Sequence, residues 1–322
     1  KNIIYVGALS VLLDIDEKQI QRLFSEQFKG KEKLIDSNVK AMNLGRDWVK
    51  QHVDPDLVKL KVRHADNVGD RIFVEGNSAA ALGAVYGGAT VCAWYPITPS
   101  SSLAEAFQSH CKKFRHDKET GKAKYAIVQA EDELASIGMV IGAAWNGARS
   151  FTATSGPGIS LMTEFIGLAY FAEVPAVLVN VQRGGPSTGM PTRTQQSDLL
   201  GCAYASNGDT KHVLLFPEDP RECFEFTAEA LDLADRLQTP VFVMTDLDIG
   251  MNHHLYKPFA WDENRVLDRG KVMTAEDLEA GKTFGRYLDV DGDGIPYRTY
   301  PGTHPTKGSY FTRGTTKDEF AR

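Results

Sequence analysis

The stretch YAIVQAEDELASIGMVIGAAWNGARSFTATSGPGISLMTEFIGLAYFAEVPAVLVNV, residues 125–181, decides the fold. It holds three apolar runs of strand length, YAIVQA, SFTATSG and PAVLVNV. Two segments of helical period, DELASIGMVIGAAWNGA and SLMTEFIGLAYFAEV, lie between them. Strands that are apolar on both faces and alternate with helices belong to a parallel sheet covered on both sides. The same alternation extends outward. IFVEG, SAAALGAVYGG, TVCAWYP and SSLAEAFQSHCKKF precede the stretch, and HVLLFP, PRECFEFTAEALDLADRL and PVFVMTDL follow it. The sequence therefore predicts an α/β fold with a doubly wound parallel sheet over residues 72–250.

Both ends differ from this core. Residues 1–53 read as helices, notably DEKQIQRLFSEQF, in which Ile20, Leu23 and Phe24 recur at helical spacing. Residues 54–71, with Asp54, Pro55 and many charges, form a linker. After Gly250 the pattern dissolves into Gly, Pro, Asp and aromatic residues, which predicts an irregular extension, 251–322, packed on something larger. The chain opens on Lys1 rather than Met and ends on TTKDEFAR without a terminating element, so it is expected to be a piece of a longer polypeptide.

Composition excludes several classes of function. At 322 residues and 42% hydrophobic, the chain can bury one substantial core and a small second unit. A net charge of −6 with both signs scattered offers no basic stripe for nucleic acid. Apolar runs such as Val174–Val181 are far shorter than the roughly 20 residues of a membrane span, and no signal-peptide pattern precedes them in this sequence. A soluble, cytoplasmic protein is expected. Cysteines 92, 111, 202 and 223 make no CxxC pair, which argues against a disulfide framework and against a zinc or iron–sulfur site in this chain.

Ligands of such sheets gather beyond the carboxyl ends of the strands, which selects the loops after Trp94, Gln129 and Val181. In AWYPITPSS, residues 93–101, Pro96 and Pro99 confine Tyr95 and Thr98 to extended geometry, so Thr98 is presented stiffly. The alternative is a helix start capped by Ser100 or Ser101. In QAEDELASIG, three acids, Glu131, Asp132 and Glu133, open a helix, and capping by Asp132 accounts for most of that pattern. The helix itself carries no charge from Leu134 to Ala148 and includes Gly138, Gly142 and Gly147. It is expected to be packed on all sides, so that a carboxylate leading it enters a dry interior and needs a partner that shares its proton. In VNVQRGGPSTGMPTRTQQSDL, Arg183 stands where strand becomes loop, and its fork suits a carboxylate. A structural pairing with Asp198 is the other reading. In DVDGDGIPYR, Asp289, Asp291 and Asp293 alternate before Gly294 as in a calcium loop, but Tyr300 replaces the bidentate glutamate. No metal is assigned there, and a hairpin-like turn is preferred.

Together, YPITPSS at 95–101, EDE at 131–133 with glycines at 138, 142 and 147, TATSGPG at 152–158 and RGGPSTGMPT at 183–192 resemble the α subunit of the 2-oxoacid:ferredoxin oxidoreductases, most closely the 2-oxoglutarate members. The resemblance covers residues 72–322, and residues 1–53 are similar to the closing helices of a γ-type domain fused ahead of the α part. It implies that the sheet domain is of the thiamine diphosphate pyrimidine-binding type, with the coenzyme shared between this chain and a β subunit.

Glu133 is then the carboxyl that protonates N1′ of the aminopyrimidine, with Glu131 as runner-up, and Pro96 and Ile97 join it at the cofactor. Arg183 and Thr98 bind the substrate 2-oxoacid, and Arg193 is a secondary candidate for a distal carboxylate. Mg2+ and a [4Fe–4S] cluster are expected on the β subunit. The implied reaction is reversible oxidative decarboxylation of a 2-oxoacid with coenzyme A to acyl-CoA and CO2, with ferredoxin as electron acceptor and an (αβ)2 assembly. Gly292-Asp293-Gly294 imitates the partner domain's metal motif, but no asparagine follows it. Other ferredoxin-linked 2-oxoacid oxidoreductases, a non-redox thiamine decarboxylase or synthase, and a non-catalytic scaffold subunit are the alternatives.

Overall fold

The computed structural model describes residues 1–308 and divides into two compact units, Lys1–Gly69 and Asp70 onward. The last residues of the predicted extension, 309–322, lie outside the described residues.

The first unit is built from helices α1 (Asn2–Leu12), α2 (Glu17–Gln27) and α3 (Glu32–His52). Gly7 and Gly45 let α1 and α3 touch backbone to backbone, because a β-carbon at either would collide with the carbonyl of Met42 or Ile4. Ile20, Phe24 and Met42 form its small core. Leu23, predicted on the same face, is exposed instead, since α2 packs along only a narrow stripe. Val62 N–H donates to Leu13 O at 2.7 Å, which ties residues beyond 53 to this unit.

The second unit runs β1 (Ile72–Glu75), α4 (Gly76–Tyr86), β2 (Val91–Trp94), α5 (Ser101–Phe114), β3 (Ala126–Gln129), α6 (Glu133–Trp145), β4 (Ser150–Thr154) and α7 (Gly156–Phe171). It continues through β5 (Ala176–Gln182), α8 (Leu199–Ala203), β6 (Val213–Leu215), α9 (Pro220–Leu237), β7 (Pro240–Asp246), α10 (Leu247–Met251), β8 (His253–Tyr256) and α11 (Ala275–Glu279). Six strands form one parallel sheet in the order β3-β2-β4-β5-β7-β6. Alternation along each strand divides the core in two. Val177, Val179 and Val181 of β5 face α4, α5 and α9, whereas Ala176 and Leu178 face α6, α7 and α8. The α/β doubly wound fold is as the sequence predicts.

Three features depart from the sequence reading. Strand β1 does not join the parallel sheet but pairs antiparallel with β8, Ile72 opposite Tyr256. Strand pairing is not encoded in periodicity, and Phe73 leaves one face of this ribbon exposed.

The extension also folds back on its own unit. Arg149, buried just before β4, pairs with Asp232 and Asp235 of α9 at 2.5 and 3.0 Å. From the extension, Arg298 reaches Asp235 at 2.9 Å and Arg265 reaches Asp232 at 2.6 Å. Within the extension, Asp289 closes a turn by accepting from the N–H groups of Gly292 and Gly294 at 2.7 and 2.9 Å. Those bonds hold its carboxyl below the usual range. Lys271 Nζ lies 2.8 and 2.7 Å from Asp291 and Asp293. The aspartates thus meet backbone amides and a lysine ammonium in a turn that no strands flank among the described residues.

Third, α6 is not packed on all sides. Ile137, Val140, Ile141 and Ala144 face the core, but Leu134 and Met139 are exposed, so the helix lacks charge because its outer side is apolar too. Among the described residues no helix is long and apolar enough to cross a membrane.

Candidate functional site

The chain steps from β2 outward to β3, then crosses back to β4 and continues through β5. The strand order therefore reverses between β2 and β4, and ligands of such sheets bind at the carboxyl ends at that point. Four loops meet at it, those following β2, β3, β4 and β5.

The loop after β2 is gripped from within. Ile97 O accepts from the backbone N–H of Ser100 and from its hydroxyl at 2.9 and 3.0 Å, so Ser100 bends back instead of capping α5. Ser101 Oγ accepts from Ile97 N–H at 3.0 Å. Pro96 and Thr98 are exposed, Ile97 is half-buried, and the Thr98–Pro99 bond is cis. One residue of this grip escaped the sequence reading. Asn77, fully buried at the start of α4, donates from Nδ2 to Pro99 O and to Ser102 Oγ, both at 2.9 Å. Its signal is a single asparagine after Gly76 at the end of an apolar run. Nearby, burial pushes the Glu75 carboxyl up, opposed by His253 and by a hydrogen bond from Ser102.

After β3 the three acids part ways. Asp132 caps α6, accepting from Ala135 N–H at 2.6 Å, and Glu131 is exposed. Glu133 is 6% exposed, and no hydrogen bond or ion pair from the described residues reaches its carboxylate. It lies against the first turn of α7, where a β-carbon on Gly158 would stand 2.9 Å from Glu133 Cγ and overlap Thr154 Oγ1. The hydroxyls of Thr154 and Ser155, at the end of β4, are buried and have no hydrogen-bond partner among the described residues. Two adjacent buried hydroxyls of this kind leave hydrogen bonds that a bound group could supply.

Arg183 follows β5, yet its Nη1 donates to Thr98 O at 2.6 Å, so the side chain reaches across the end of β4 to the loop after β2. Nη2 donates to Thr188 O at 2.7 Å. Arg183 is 7% exposed, and its Nε has no hydrogen-bond partner among the described residues. Asp198 is not its counter-ion. That carboxylate instead accepts from Asn180 Nδ2 at 3.1 Å and sits against Gly156 at the start of α7. A cavity of about 670 Å³ lies between that helix start, through Gly156, Pro157 and Leu161, and the loop carrying Arg183, Thr188 and Ser197. Arg193, farther along the loop, is exposed, with one bond to Thr192 O at 3.2 Å.

A contiguous path thus joins Glu133, the first turn of α7, the cavity, Arg183 and Thr98. Residues 82–283, more than half of the chain and including this whole path, match the family model described as pyruvate flavodoxin/ferredoxin oxidoreductase, thiamine diphosphate-binding. The chain belongs to this family. As a member of it, the sheet domain is of the thiamine diphosphate-binding type.

A 2-oxoglutarate synthase subunit KorA of Methanocaldococcus jannaschii is 43% identical over 199 residues, covering 62% of this chain and 51% of that one. Subunit alpha of 2-oxoacid:ferredoxin oxidoreductase 1 of Sulfurisphaera tokodaii is 36% identical over 94% of this chain and 47% of that one. Among solved structures, a 2-oxoglutarate:ferredoxin oxidoreductase from Magnetococcus marinus with 2-oxoglutarate, coenzyme A and succinyl-CoA bound superposes with a TM-score of 0.73. It is 33% identical and covers 99% of this chain and 53% of that one. The chain spans about half the length of these relatives.

Proposed function

We propose that this chain is the pyrimidine-binding half of the thiamine diphosphate site in a 2-oxoglutarate:ferredoxin oxidoreductase, acting with coenzyme A and with ferredoxin as electron acceptor. A β-type partner would complete the site with Mg2+ and a [4Fe–4S] cluster, in an (αβ)2 assembly. On this reading, residues 1–53 close a γ-type domain, 54–71 link it to the pyrimidine-binding domain over 72–250, and 251–322 lead toward a further domain. Four free, buried thiols fit a reducing, cytoplasmic setting.

The observation that carries the reading is Glu133, a buried residue whose carboxylate no described residue hydrogen-bonds, close to the Thr154 and Ser155 hydroxyls, which likewise lack a partner among the described residues. A carboxyl group out of water needs a hydrogen-bonding partner, and a ring nitrogen that shares its proton is one. Thiamine diphosphate, when bound, supplies the carbon nucleophile and the electron sink for cleaving a 2-oxoacid next to its carboxylate. Glu133 would hold a proton at N1′ of the aminopyrimidine, with Pro96 and Ile97 beside the ring. Arg183 retains unused N–H groups after serving two carbonyls, and these would take the substrate carboxylate. The Thr98 hydroxyl would meet the carboxylate or the 2-oxo group, and Arg193 is available to a distal carboxylate.

The decisive experiment is Glu133→Gln in the complete enzyme, assayed by CO2 release. Removing a positioned acid–base group costs about 10²–10⁴-fold, and that loss is expected here, whereas Glu131→Gln should stay within a few-fold of the parent. Near-normal CO2 release from Glu133→Gln would remove Glu133 from the chemistry and the reading with it.

A further inference from the structure

Consecutive carbonyls in the loop after β2 are held by buried side chains from two different elements. Arg183 takes Thr98 O at 2.6 Å, and Asn77 takes Pro99 O at 2.9 Å. Pro99 O can only accept, so the Asn77 amide must turn its NH2 toward it. The second bond from that Nδ2 goes to Ser102 Oγ at 2.9 Å, in the same segment. Both bonds of the amide therefore serve residues 99–102, and none serves the helix that carries it.

Its Oδ1 is buried with no hydrogen-bond partner among the described residues, on the side of Gly250, where a β-carbon would stand 2.7 Å away. A residue present for packing alone would not leave a buried acceptor unmatched, because that costs free energy which an apolar side chain of similar shape avoids.

We propose that Asn77 is a positioning residue. It fixes the Pro99 peptide group while Arg183 fixes that of Thr98, and the two together set the direction in which the Thr98 hydroxyl points. The proposal rests on the reading of Thr98 as a substrate-binding residue. Rotation of either peptide group breaks one of the two grips, so losing Asn77 leaves Thr98 attached but no longer aimed. Positioning of this kind is felt strongly in rate because small displacements of an oriented group are costly.

The test uses the complete enzyme with Asn77→Ala, Thr98→Val and the double variant. In Asn77→Ala the Ser100 and Ser101 amides should exchange with deuterium about tenfold faster while β5 keeps its protection, since loss of one buried hydrogen bond shifts a local opening equilibrium by about that factor. The KM for the 2-oxoacid should rise about tenfold in Asn77→Ala, yet less than twofold when the same change is made on Thr98→Val, because coupled residues are non-additive. Unchanged exchange at Ser100 and Ser101, or fully additive KM effects, overturns the proposal.

Should Asn77→Ala not assemble, Gly250→Ala presses on Oδ1 from behind without removing the amide and is expected to give the same localised exchange signature; its absence counts against the proposal equally. If Thr98→Val by itself leaves KM and turnover unchanged, the substrate-binding reading of Thr98 fails, and the exchange measurement alone then decides whether Asn77 holds the loop.

Discussion

Gly158 shows how closely the site is built. At the first turn of α7 it leaves room for both Thr154 Oγ1 and Glu133 Cγ, and any β-carbon must displace one of them. Gly158→Ala is therefore expected to cost stability of about 1–3 kcal/mol, as overpacking in a core does. A displaced carboxyl loses its orientation, so turnover of the complete enzyme should fall by about 10²-fold. Thermal unfolding and CO2 release check the two effects separately, and normal turnover in a destabilised variant would mean that Thr154 rather than Glu133 yields to the β-carbon.

The cysteines show a different consequence of burial. Desolvation pushes the thiol of Cys111 up to about 11 and those of Cys202 and Cys223 up to about 12, and raises Cys92 as well. A raised thiol stays protonated below its shifted value, and the thiolate is the reactive form. At pH 8 the folded protein should resist iodoacetamide at all four positions and take up the label only on unfolding. Mass spectrometry reads this directly, and rapid labelling of the folded chain would contradict the buried packing.

At the scale of elements, α6 carries two roles on opposite sides. Its inner face closes the core, its first residue bears the buried carboxyl, and its outer face leaves Leu134 and Met139 in solvent. An apolar face beside a half-built site is what a partner chain would cover. If the proposed β-type partner seats there, Met139→Lys should weaken that association by at least about tenfold, as buried interface positions often do on substitution, while leaving this chain's own unfolding temperature nearly unchanged. Sedimentation of the mixed subunits decides it, and undiminished assembly would mean that this side of α6 faces solvent in the complex.

The same helix marks how far the sequence could be read. Periodicity revealed the strands and helices from β2 to β7 except the short α8, because apolar spacing of two and of 3.6 residues follows directly from burial. It could not reveal that β1 pairs with β8, since pairing depends on the whole unit. It also mistook an exposed apolar side of α6 for a buried one, since hydrophobicity alone does not tell a core face from an exposed one. Within the site, the three acids and Arg183 stood out as charges at strand ends. Asn77 did not, because its importance lies in which carbonyl it reaches, and the same reason hid the bond from Arg183 to Thr98 O.

On the scale of the whole domain, charge is gathered at the end of the sheet opposite the site. Arg149 precedes β4, and Asp232 and Asp235 lie near the end of α9, before β7, so their cluster sits at the amino ends of the strands. Asp235 alone receives Arg149 at 3.0 Å, Arg298 at 2.9 Å and Arg269 at 3.3 Å. The two arginines from the extension are thereby fastened to the same carboxylate as one from the sheet, which makes the extension part of the domain's stability rather than an appendage.

A buried carboxylate among several guanidiniums is worth little against an apolar replacement of the whole cluster, but removing one member leaves uncompensated charge. Asp235→Ala should therefore lower the unfolding free energy by about 3–5 kcal/mol, measured by denaturant titration. It should also loosen residues 265–300 in hydrogen exchange ahead of the sheet. Because the cluster lies across the sheet from Glu133, Thr98 and Arg183, enzyme that remains folded should keep the parent turnover. A loss of turnover as large as that expected of Glu133→Gln would mean that the two ends of the sheet are energetically coupled, and the separation of stability from chemistry argued here would have to be abandoned.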